Sequence, residues 1–326
     1  MSKRLCYVVH RYAPYPGGSE AFVQNMAEES QRLGHDVTVI TQEHQGDLNG
    51  VEVTSNHMKL LTTTYDLIIV HGGNCSSQDT VHMNSDHIPS PILYMLILPS
   101  ESWPCMKGLH NSKYIGCSTQ ADWDHVRKHN FENKSHYIRH SVPFNSKTIG
   151  TPNIFRKKYN IPTDKIMLLS CGGFWPHKGM SELAEICNSL PRDDIILVLT
   201  GYYKNAHYTP PIETDKVKVL YIEEKEDVAH AMADMDLYVM NSTEEGFGLV
   251  LIEAMLNKKP WISRNIAGAE KMSDYGITYH KKEHLQILLS KIETIIGMVD
   301  VEKAYKYAIE NHLIEHTVAD ILQCIN

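Results

Sequence analysis

The feature that most constrains the fold of this chain is an alternation of short apolar runs with helical patterns. It begins with an apolar run over residues 5–9, a loop rich in proline and glycine, a helical pattern over residues 19–33 and a second apolar run over residues 36–41. A strand, a crossover helix and a second strand in this order are typical of a doubly wound parallel sheet. Further strands are predicted over residues 67–70, 92–98, 114–117 and 136–139, and a helix over residues 120–129.

The alternation restarts after a stretch that lacks periodicity. Residues 143–165 contain three prolines, which is typical of a boundary between domains. Beyond it, strands are predicted over residues 166–171, 195–200, 218–221 and 237–240, and helices over residues 181–190, 226–233 and 249–256. The predicted fold class is α/β, with two Rossmann-like domains built on doubly wound parallel sheets. Their predicted bounds are residues 1–146, with a C-terminal helix over residues 306–326 packing back on this domain, and residues 147–305.

The composition excludes several classes of protein. With 42% hydrophobic and 21% charged residues in 326, the chain is not mainly disordered. The longest apolar run, residues 92–98, is too short for a bilayer, which needs about twenty residues, so no transmembrane association is expected. The first residues lack the apolar core of a secretory signal, and the seven cysteines include no CxxC pair. We therefore expect a cytoplasmic protein with reduced thiols, and peripheral contact with a membrane surface stays open.

Residues 241–260 are the most informative about chemistry. A predicted strand ends, a turn carries Gly246 and Gly248, and a helix begins. The free N–H groups and the positive dipole end of that helix form a site for a diphosphate. Glu245 precedes the turn and Glu253 follows eight residues later, and carboxylates tolerate a nearby phosphate when they accept hydrogen bonds from hydroxyl groups. The pattern indicates a nucleotide sugar. The alternative is a tight strand–helix turn with two solvated glutamates.

The string E-G-F-G-L-V-L-I-E-A-M in this segment is similar to a family signature. It resembles the E-x7-E motif of family 4 of the retaining nucleotide-sugar glycosyltransferases, whose GT-B fold has two Rossmann-like domains facing across a cleft. Other segments resemble the same family in the same order, at residues 14–41, 171–185, 233–248 and 258–272. The resemblance spans residues 7–272, most of the chain.

The resemblance implies a role for each matching residue. Glu245 would bind hydroxyls of the transferred sugar, Glu253 the ribose hydroxyls, and Lys178 would neutralise the β-phosphate as the glycosidic bond breaks. The catalytic candidates are Glu245, Lys178 and His71. The residues expected to bind the donor are Gly17, Gly18, Gly173, Lys178, Gly246, Phe247, Gly248, Leu249, Val250 and Glu253.

Two departures from the family pattern affect these roles. The family usually has an arginine where this chain has Gly173, so one expected phosphate cation is absent, and Arg264 is a candidate replacement. A histidine is also usual after the strand that matches residues 92–98, where this chain reads Leu-Pro-Ser-Glu-Ser. His71, which is followed by two glycines, is the candidate for that place, with His10 and Glu101 as alternatives.

No metal or other cofactor is expected. Nothing in the sequence has the spacing of a metal-ligand motif, and Asp234 and Asp236, which fit the letters D-x-D, lie in a helix-to-strand run that the family shares. Metal independence is also what the resemblance implies.

The acceptor side of the reaction is where the sequence is least informative. The net charge is −8, yet residues 101–160 contain ten Lys or Arg and four acidic residues. The predicted helix in this basic stretch carries Trp123, Arg127, Lys128 and Phe131. Three interpretations stay open: a membrane-surface helix for a lipid-linked acceptor, a phosphate-contacting strip for nucleic acid, and a solvated helix with core-facing aromatic residues.

The predicted function is a retaining hexosyl or pentosyl transfer from a nucleoside-diphosphate sugar, with a UDP-sugar favoured, to an acceptor hydroxyl. The acceptor is unknown, and a glycan, a lipid-linked glycan or a nucleic acid is considered. Two alternatives keep the same fold. One is a hydrolytic, epimerase or phosphorylase-like enzyme that uses water or orthophosphate, and the other is a non-catalytic nucleotide-sugar-binding protein, which the glycine at position 173 favours.

Overall fold

The computed structural model describes residues 1–325 apart from residues 16, 43–45, 72–79, 82, 99–101, 202–209 and 223. The chain forms two compact units. The first comprises Met1–Ser141 together with Ile314–Asn326, and the second comprises Val142–Leu313.

The first unit is built on one sheet with helices packed on it. Its strands are β1 (Arg4–Val8), β2 (Asp36–Ile40), β3 (Gly46–Leu48), β4 (Val51–Thr54), β5 (Leu67–His71), β6 (Ile92–Met95), β7 (Tyr114–Cys117) and β8 (Ser135–Tyr137). Its helices before residue 142 include α1 (Gly18–Arg32), α2 (Lys59–Thr62), α3 (Trp103–Asn111) and α4 (Gln120–Lys128), with a 3₁₀ turn at Glu132–Lys134.

The strand order within the described part of this unit is β3-β4-β2-β1-β5-β6-β7-β8. Neighbouring strands are parallel except for the hairpin of β3 and β4 at one edge. All five residues of β5 are buried, as expected for a parallel strand covered on both faces. The strand predicted over residues 92–98 ends at Met95, and Leu98 has a left-handed backbone (φ 55°) that a strand cannot adopt.

The second unit repeats the architecture with a six-stranded sheet. Its strands are β9 (Ile166–Cys171), β10 (Ile195–Gly201), β11 (Val217–Tyr221), β12 (Leu237–Met240), β13 (Trp261–Arg264) and β14 (Ile277–Tyr279). Its helices are α5 (Ile154–Lys158), α6 (Met180–Ser189), α7 (Lys225–Asp234), α8 (Leu249–Leu256), α9 (Ala267–Lys271), α10 (Lys282–Ser290), α11 (Ile292–Met298) and α12 (Val301–Asn311). The 3₁₀ turns are Pro176–Lys178 and Ser273–Tyr275.

All neighbouring strands of this sheet are parallel, in the order β11-β10-β9-β12-β13-β14. The chain therefore starts at the central strand β9, moves outward to β11, and returns to pair β12 with the other side of β9. The order reverses between β9 and β12, and ligands of open α/β sheets bind beyond the carboxyl ends of the strands at such a switch point. Two buried clusters cover the two faces of the sheet, so its strands are nearly continuous apolar runs.

The end of the chain differs from the sequence prediction. In place of one helix over residues 306–326, the structure has α12, which belongs to the second unit, and α13 (Ile314–Gln323), which belongs to the first. The helical run stops at His312, whose carbonyl accepts a hydrogen bond from Val142 N at 3.0 Å, and Leu313 forms a β-bridge with Val142. At this point the chain forms a strand-like pairing with Val142, and the helix does not continue.

The C-terminal helix is fixed to the first unit by packing and by one ion pair. Helix α13 packs on α1 through an apolar face that includes Val318 and Ile321. Arg139 donates from Nε and Nη2 to the two carboxylate oxygens of Asp320, at 2.8 and 2.5 Å. No helix in the described ranges combines the length and the apolar character needed to cross a bilayer.

Candidate functional site

The candidate site lies where the loops after β9 and β12 meet, at the switch point of the second sheet. The 3₁₀ turn Pro176–Lys178 follows β9, and the loop from Asn241 to Gly248 follows β12. Hydrogen bonds join the two segments: Thr243 N donates to His177 O at 2.7 Å, and Asn241 Nδ2 donates to Gly179 O at 2.8 Å. The fold therefore brings together two segments that are more than sixty residues apart in the sequence.

Lys178 and Glu245 form an ion pair across these two loops. Lys178 Nζ lies 2.7 Å from Glu245 Oε1, and the side chains are 23% and 13% exposed. Ser242 Oγ donates to the same carboxylate oxygen at 2.7 Å. Two of the three catalytic candidates of the sequence are thus in direct contact. The pair offers an ammonium donor and a carboxylate acceptor side by side, which suits a ligand with both phosphate and hydroxyl groups.

The turn that carries Lys178 covers a pair of glycines at the end of β9. Gly172 has a left-handed backbone (φ 142°), and a Cβ built on it would lie 3.7 Å from Lys178 Cε. A Cβ on Gly173 would lie 2.5 Å from Cδ1 of Trp175 and closer still to its Nε1. The space beside Gly173, where the family pattern has an arginine, is therefore taken by the Trp175 indole.

A buried polar network supports the turn from behind. Asn241, which is fully buried, donates from Nδ2 to Glu182 at 3.0 Å as well as to Gly179 O, and its Oδ1 accepts from the Tyr279 hydroxyl. Arg264 Nε donates to Asn241 O at 3.1 Å, and its guanidinium pairs with Glu182. Arg264, the candidate replacement for the absent arginine, is thus engaged with groups inside the fold.

Helix α8 begins at the same loop. Its N-cap, Gly248, has φ 94°, and a Cβ there would lie 3.2 Å from Met240 Cε, so the position suits glycine. Phe247 is buried, and its carbonyl accepts from Gly268 N at 2.9 Å. The first N–H groups of a helix have no carbonyl partner within it, so those of Leu249 and Val250 are suited to an anion.

Glu253 lies in the second turn of α8 and is half-buried. Burial raises the pKa of its carboxyl above the ordinary value, and the positive charge of Lys225 opposes that rise. A carboxylate that is costly to ionise gains from hydrogen bonds donated by ligand hydroxyls. This environment suits the sequence-based role of Glu253, which stays a prediction.

The first unit carries the candidates Gly17, Gly18 and His71. Gly17 is the N-cap of α1, and the Glu20 carboxylate lies so close that a Cβ on Gly17 would overlap it, whereas a Cβ on Gly18 would meet nothing within 4 Å. His71 is the last residue of β5, is 2% exposed and contacts the edge of the Phe22 ring at 5.5 Å between centroids. Burial lowers the pKa of His71 to about 4, so its imidazole is neutral at pH 7.

His10 and Glu101 were the alternatives to His71. His10 is half-buried, and its carbonyl accepts hydrogen bonds from Thr41 Oγ1 and Gln42 N. Glu101 and the two glycines after His71 lie outside the described residues. The roles of Gly17, Gly18 and His71 stay predictions.

The comparison with known proteins shows what the chain is similar to. Residues 153–311, just under half of the chain, match the family model described as glycosyl transferases group 1. The chain is an enzyme, a glycosyltransferase, and relatives that match most of its length are also named glycosyltransferases.

Two relatives match over most of the glycosyltransferase. The lipopolysaccharide core biosynthesis glycosyltransferase LpsE of Rhizobium meliloti is 22% identical over 289 residues, which cover 81% of this chain and 80% of the relative. An uncharacterized glycosyltransferase of Methanocaldococcus jannaschii is 24% identical over 313 residues, 90% of this chain and 88% of the relative. A match to the O-antigen biosynthesis glycosyltransferase WclY of Escherichia coli, 27% identical over 114 residues, spans about a third of that protein, 32%.

Solved structures show the fold of the glycosyltransferase. HepE of Anabaena in complex with UDP-glucose superposes with a TM-score of 0.79 at 16% identity, over 98% of this chain and 99% of HepE. WaaG, a glycosyltransferase involved in lipopolysaccharide biosynthesis, superposes with a TM-score of 0.73 at 18% identity, over 97% of this chain and 99% of WaaG. The fold is GT-B, with two parallel-sheet α/β units.

The basic stretch of the glycosyltransferase is divided between its two units. In the first unit, Lys134 Nζ donates to three carbonyls at the end of α3, and Arg139 pairs with Asp320. In the second, Arg156 pairs with Asp236, and Lys158 pairs with Asp227. Together with the ion pairs of Lys107 and Arg127, at least six of the ten basic side chains have protein partners. This favours the structural interpretation of the stretch over a strip for nucleic acid.

In the described ranges of the glycosyltransferase, no three His, Cys, Asp or Glu side chains are grouped to hold a metal ion. The D-x-D letters have structural partners instead. Asp234 accepts from Arg156 N at 2.8 Å, and Asp236 accepts from Met167 N at 2.7 Å.

Sequence reasoning missed the residues that assemble the site from behind. Ser242, Asn241, Glu182 and Tyr279 were not among the predicted site residues, and their pairing depends on contacts between residues 3 to 62 positions apart. Trp175 lies within residues 171–185, which resemble the family, but nothing in the sequence shows that its ring folds back on Gly173.

Proposed function

We propose that this glycosyltransferase moves a sugar from a nucleoside-diphosphate sugar, with a UDP-sugar favoured, to an acceptor hydroxyl with retention of configuration. The observation that carries the proposal is the Lys178–Glu245 pair at the switch point, beside the start of α8 and the half-buried Glu253. HepE, which shares the fold, was solved with UDP-glucose, and this supports UDP as the first nucleotide to test.

Each part of such a donor has a matching group. The ribose hydroxyls donate to Glu253, whose ionised form gains from those bonds because burial opposes its charge. The diphosphate binds the N–H groups at the start of α8 and the ammonium of Lys178. When a phosphate binds Lys178, Glu245 leaves the ion pair. The Glu245 carboxylate is then able to accept hydrogen bonds from the sugar hydroxyls.

The proposed step is a front-face substitution at the anomeric carbon. The bond from this carbon to the diphosphate oxygen breaks, the bond to the acceptor oxygen forms on the same face, and the acceptor proton passes to the departing phosphate. Lys178 stabilises the negative charge that develops on the leaving group. His71, neutral at pH 7, is proposed to bind a hydroxyl on the side of the first unit.

We assign donor binding to the second unit and acceptor binding to the first. A glycan or lipid-linked glycan is the favoured acceptor, since two relatives are described as glycosyltransferases of lipopolysaccharide core and O-antigen biosynthesis. A nucleic-acid acceptor is less favoured because most basic side chains of residues 101–160 have protein partners.

A donor screen tests the proposal. Purified protein is melted with UDP-, GDP-, ADP- and TDP-sugars, and we expect one nucleotide class to raise the melting temperature. Lys178→Ala and Glu253→Ala should abolish that rise. Lys282→Ala is the matched control, because Lys282 also pairs with a glutamate, Glu185 at 3.3 Å, but on the exposed surface of the same unit.

Turnover is then measured with the selected donor and glycan acceptors, and the anomeric configuration of the product is read by NMR. A product with inverted configuration contradicts the proposed mechanism. Release of free sugar and nucleotide that no acceptor redirects favours the hydrolytic alternative, and no stabilisation by any nucleotide sugar contradicts the donor assignment.

A further inference from the structure

The two central strands of the second sheet stop pairing with each other before they end. Within the described residues, β9 pairs with β10 at six positions over residues 166–171, but with β12 at only two, Leu168 and Leu169. Beyond the second of these positions both strands continue for two more residues, to Cys171 and Met240. The strands are therefore separated at their carboxyl ends, at the switch point where ligands of an open α/β sheet bind.

The hydroxyl of Tyr238, a residue of β12, replaces a backbone partner at this separation. Gly172 N donates to Thr200 O of β10 at 2.9 Å, and because the direction of a strand's N–H groups alternates, the N–H of Cys171 points toward β12. It donates to the Tyr238 hydroxyl at 3.2 Å. Tyr238 is 1% exposed, and burial raises the pKa of its phenol well above the ordinary value, so the hydroxyl stays neutral. A side chain thus satisfies an N–H that strand pairing does not.

The segment of residues 171–179 is tied to the end of β12 at both of its ends. Tyr238 binds its first residue, and Asn241, three positions later in the chain, donates from Nδ2 to the carbonyl of its last residue, Gly179, at 2.8 Å. Lys178 lies within this segment, and its partner Glu245 lies in the loop that follows β12. Both members of the ion pair are therefore positioned from one strand.

We propose that Tyr238 is a positioning residue of the donor site, whose hydroxyl fixes the start of segment 171–179 so that Lys178 is placed to bind the terminal phosphate of a nucleoside diphosphate. The inference rests on the proposed function, since it assumes a diphosphate at Lys178. Tyr238 acts through Cys171 N and not through contact with the ligand. Without the hydroxyl, Cys171 N–H must find another partner, and the backbone that leads to Gly172 and Gly173 shifts.

The competing interpretation is that the hydroxyl adds stability and the segment keeps its place without it. The two interpretations differ in their effect on the terminal phosphate alone. The contribution of this phosphate is measured by the ratio of the Kd of a nucleoside monophosphate to the Kd of the diphosphate. A shifted Lys178 lowers this ratio, whereas a general loosening of the site weakens both ligands equally and leaves the ratio unchanged.

Isothermal titration of the full chain with UDP, GDP, ADP and TDP first selects the nucleotide. Its monophosphate and diphosphate are then titrated into Tyr238→Phe, which removes one hydroxyl group. We expect the affinity for the diphosphate to fall about two- to tenfold, as for the loss of one hydrogen bond, with the affinity for the monophosphate unchanged. Lys178→Ala should lower the ratio in the same direction. Glu253→Gln should weaken both ligands and keep the ratio, because the proposed contact of Glu253 is with the ribose that both contain.

Tyr7→Phe is the matched control. The Tyr7 hydroxyl is also fully buried and shares a hydrogen bond with Ser30 Oγ at 2.8 Å, but it lies in the first unit. This variant should lose stability as Tyr238→Phe does and bind both nucleotides like the wild type. Thermal melts of the two variants compare their stability in the absence of ligand.

Hydrogen exchange of the ligand-free protein gives a second readout. The amides of residues 171–179 should exchange faster in Tyr238→Phe than in the wild type and in Tyr7→Phe. A wild-type ratio in Tyr238→Phe overturns the inference, as does an equal loss for both nucleotides or unchanged exchange in this segment. If the wild type binds none of the four diphosphates, the proposed function itself fails, and this outcome is distinct from a failure of Tyr238 alone.

Discussion

Lys178 Nζ lies 2.7 Å from Glu245 Oε1, so two groups assigned to different parts of a donor neutralise each other when the site holds no ligand. This arrangement keeps a half-buried carboxylate compensated until a phosphate competes for the ammonium. It also makes the two residues energetically dependent on each other.

This dependence can be measured with single and double variants. Lys178→Met leaves Glu245 without its cation, and we expect a loss of about 1–3 kcal/mol in the free energy of unfolding. Glu245→Gln should also destabilise, and the double variant should lose less than the sum of the two, by about 0.5–3 kcal/mol. Urea denaturation of the four proteins gives the coupling. Additive losses would show that the ion pair does not stabilise the free protein.

Glu253→Gln should make the protein more stable and a poorer binder. Burial raises the pKa of Glu253, so between its ordinary pKa and its folded pKa the native state holds more protons than the unfolded state. The free energy of unfolding therefore falls as pH rises through this window. Glutamine removes the cost of ionisation. We therefore expect the free energy of unfolding to rise by about 0.5–2 kcal/mol at pH 8, and this gain should shrink as pH falls below the window.

Glu293→Gln provides a control of opposite sign. The Arg192 guanidinium, through its hydrogen bonds, holds the pKa of the Glu293 carboxyl below its ordinary value on the surface of the same unit. The stabilisation by this ion pair is present at neutral pH and is lost as pH falls through the folded pKa of Glu293. The Glu293→Gln protein should therefore be less stable than the wild type at pH 8 and equally stable at low pH. Thermal melts from pH 3 to 8 compare both variants, and a Glu253→Gln protein that is less stable at pH 8 contradicts the assignment.

Gly173→Ala should disturb the site even though it adds one methyl group. The new Cβ would lie 2.5 Å from Trp175 Cδ1, so the indole must move. We expect a shift in tryptophan emission and weaker binding of the nucleotide class that the donor screen selects, because the turn that carries Lys178 moves with the ring. The matched control is Gly297→Ala in α11, where a Cβ would meet nothing within 4 Å and helix propensity should stabilise by up to about 1 kcal/mol. Unchanged emission in Gly173→Ala would show that the indole does not occupy this space.

Asn241→Ala should weaken both the fold and the site. The variant removes the acceptor of the Tyr279 hydroxyl and the donor to Gly179 O in a fully buried place, which should cost about 2–4 kcal/mol of stability. The turn that carries Lys178 also loses its anchor, so nucleotide affinity should fall when measured well below the melting temperature. Asn188→Ala, which loses an exposed hydrogen bond with Thr214, is the control and should change neither the stability nor the nucleotide affinity. Normal affinity in Asn241→Ala would show that the turn is held without this residue.

Much of the fold could be predicted because parallel strands that are covered on both faces have nearly continuous apolar sequences. The bounds of β7, β9, β12 and α8 agree with the sequence prediction residue for residue. The hairpin of β3 and β4 was missed because its strands are short and half-exposed. The split between α12 and α13 was missed because the sequence stays helical in character, and the break depends on pairing with Val142, far away in the chain.

The candidate site could also be predicted only in part from the sequence. Glu245, Gly248 and Lys178 could be located because a strand–turn–helix pattern and a family signature mark their positions. Their contact, the Trp175 indole on Gly173 and the network around Asn241 could not, because they depend on side-chain geometry between loops that the sequence separates.

The first unit is assembled from both ends of the chain, Met1–Ser141 and Ile314–Asn326, whereas the second is one continuous segment. During synthesis the second unit can reach its native contacts before the first is complete. The first must wait for α13, which supplies Asp320 to Arg139 and covers α1. Until α13 leaves the ribosome, the face of α1 that it covers stays exposed, and exposed apolar surface makes a nascent chain prone to aggregation and a target for chaperones.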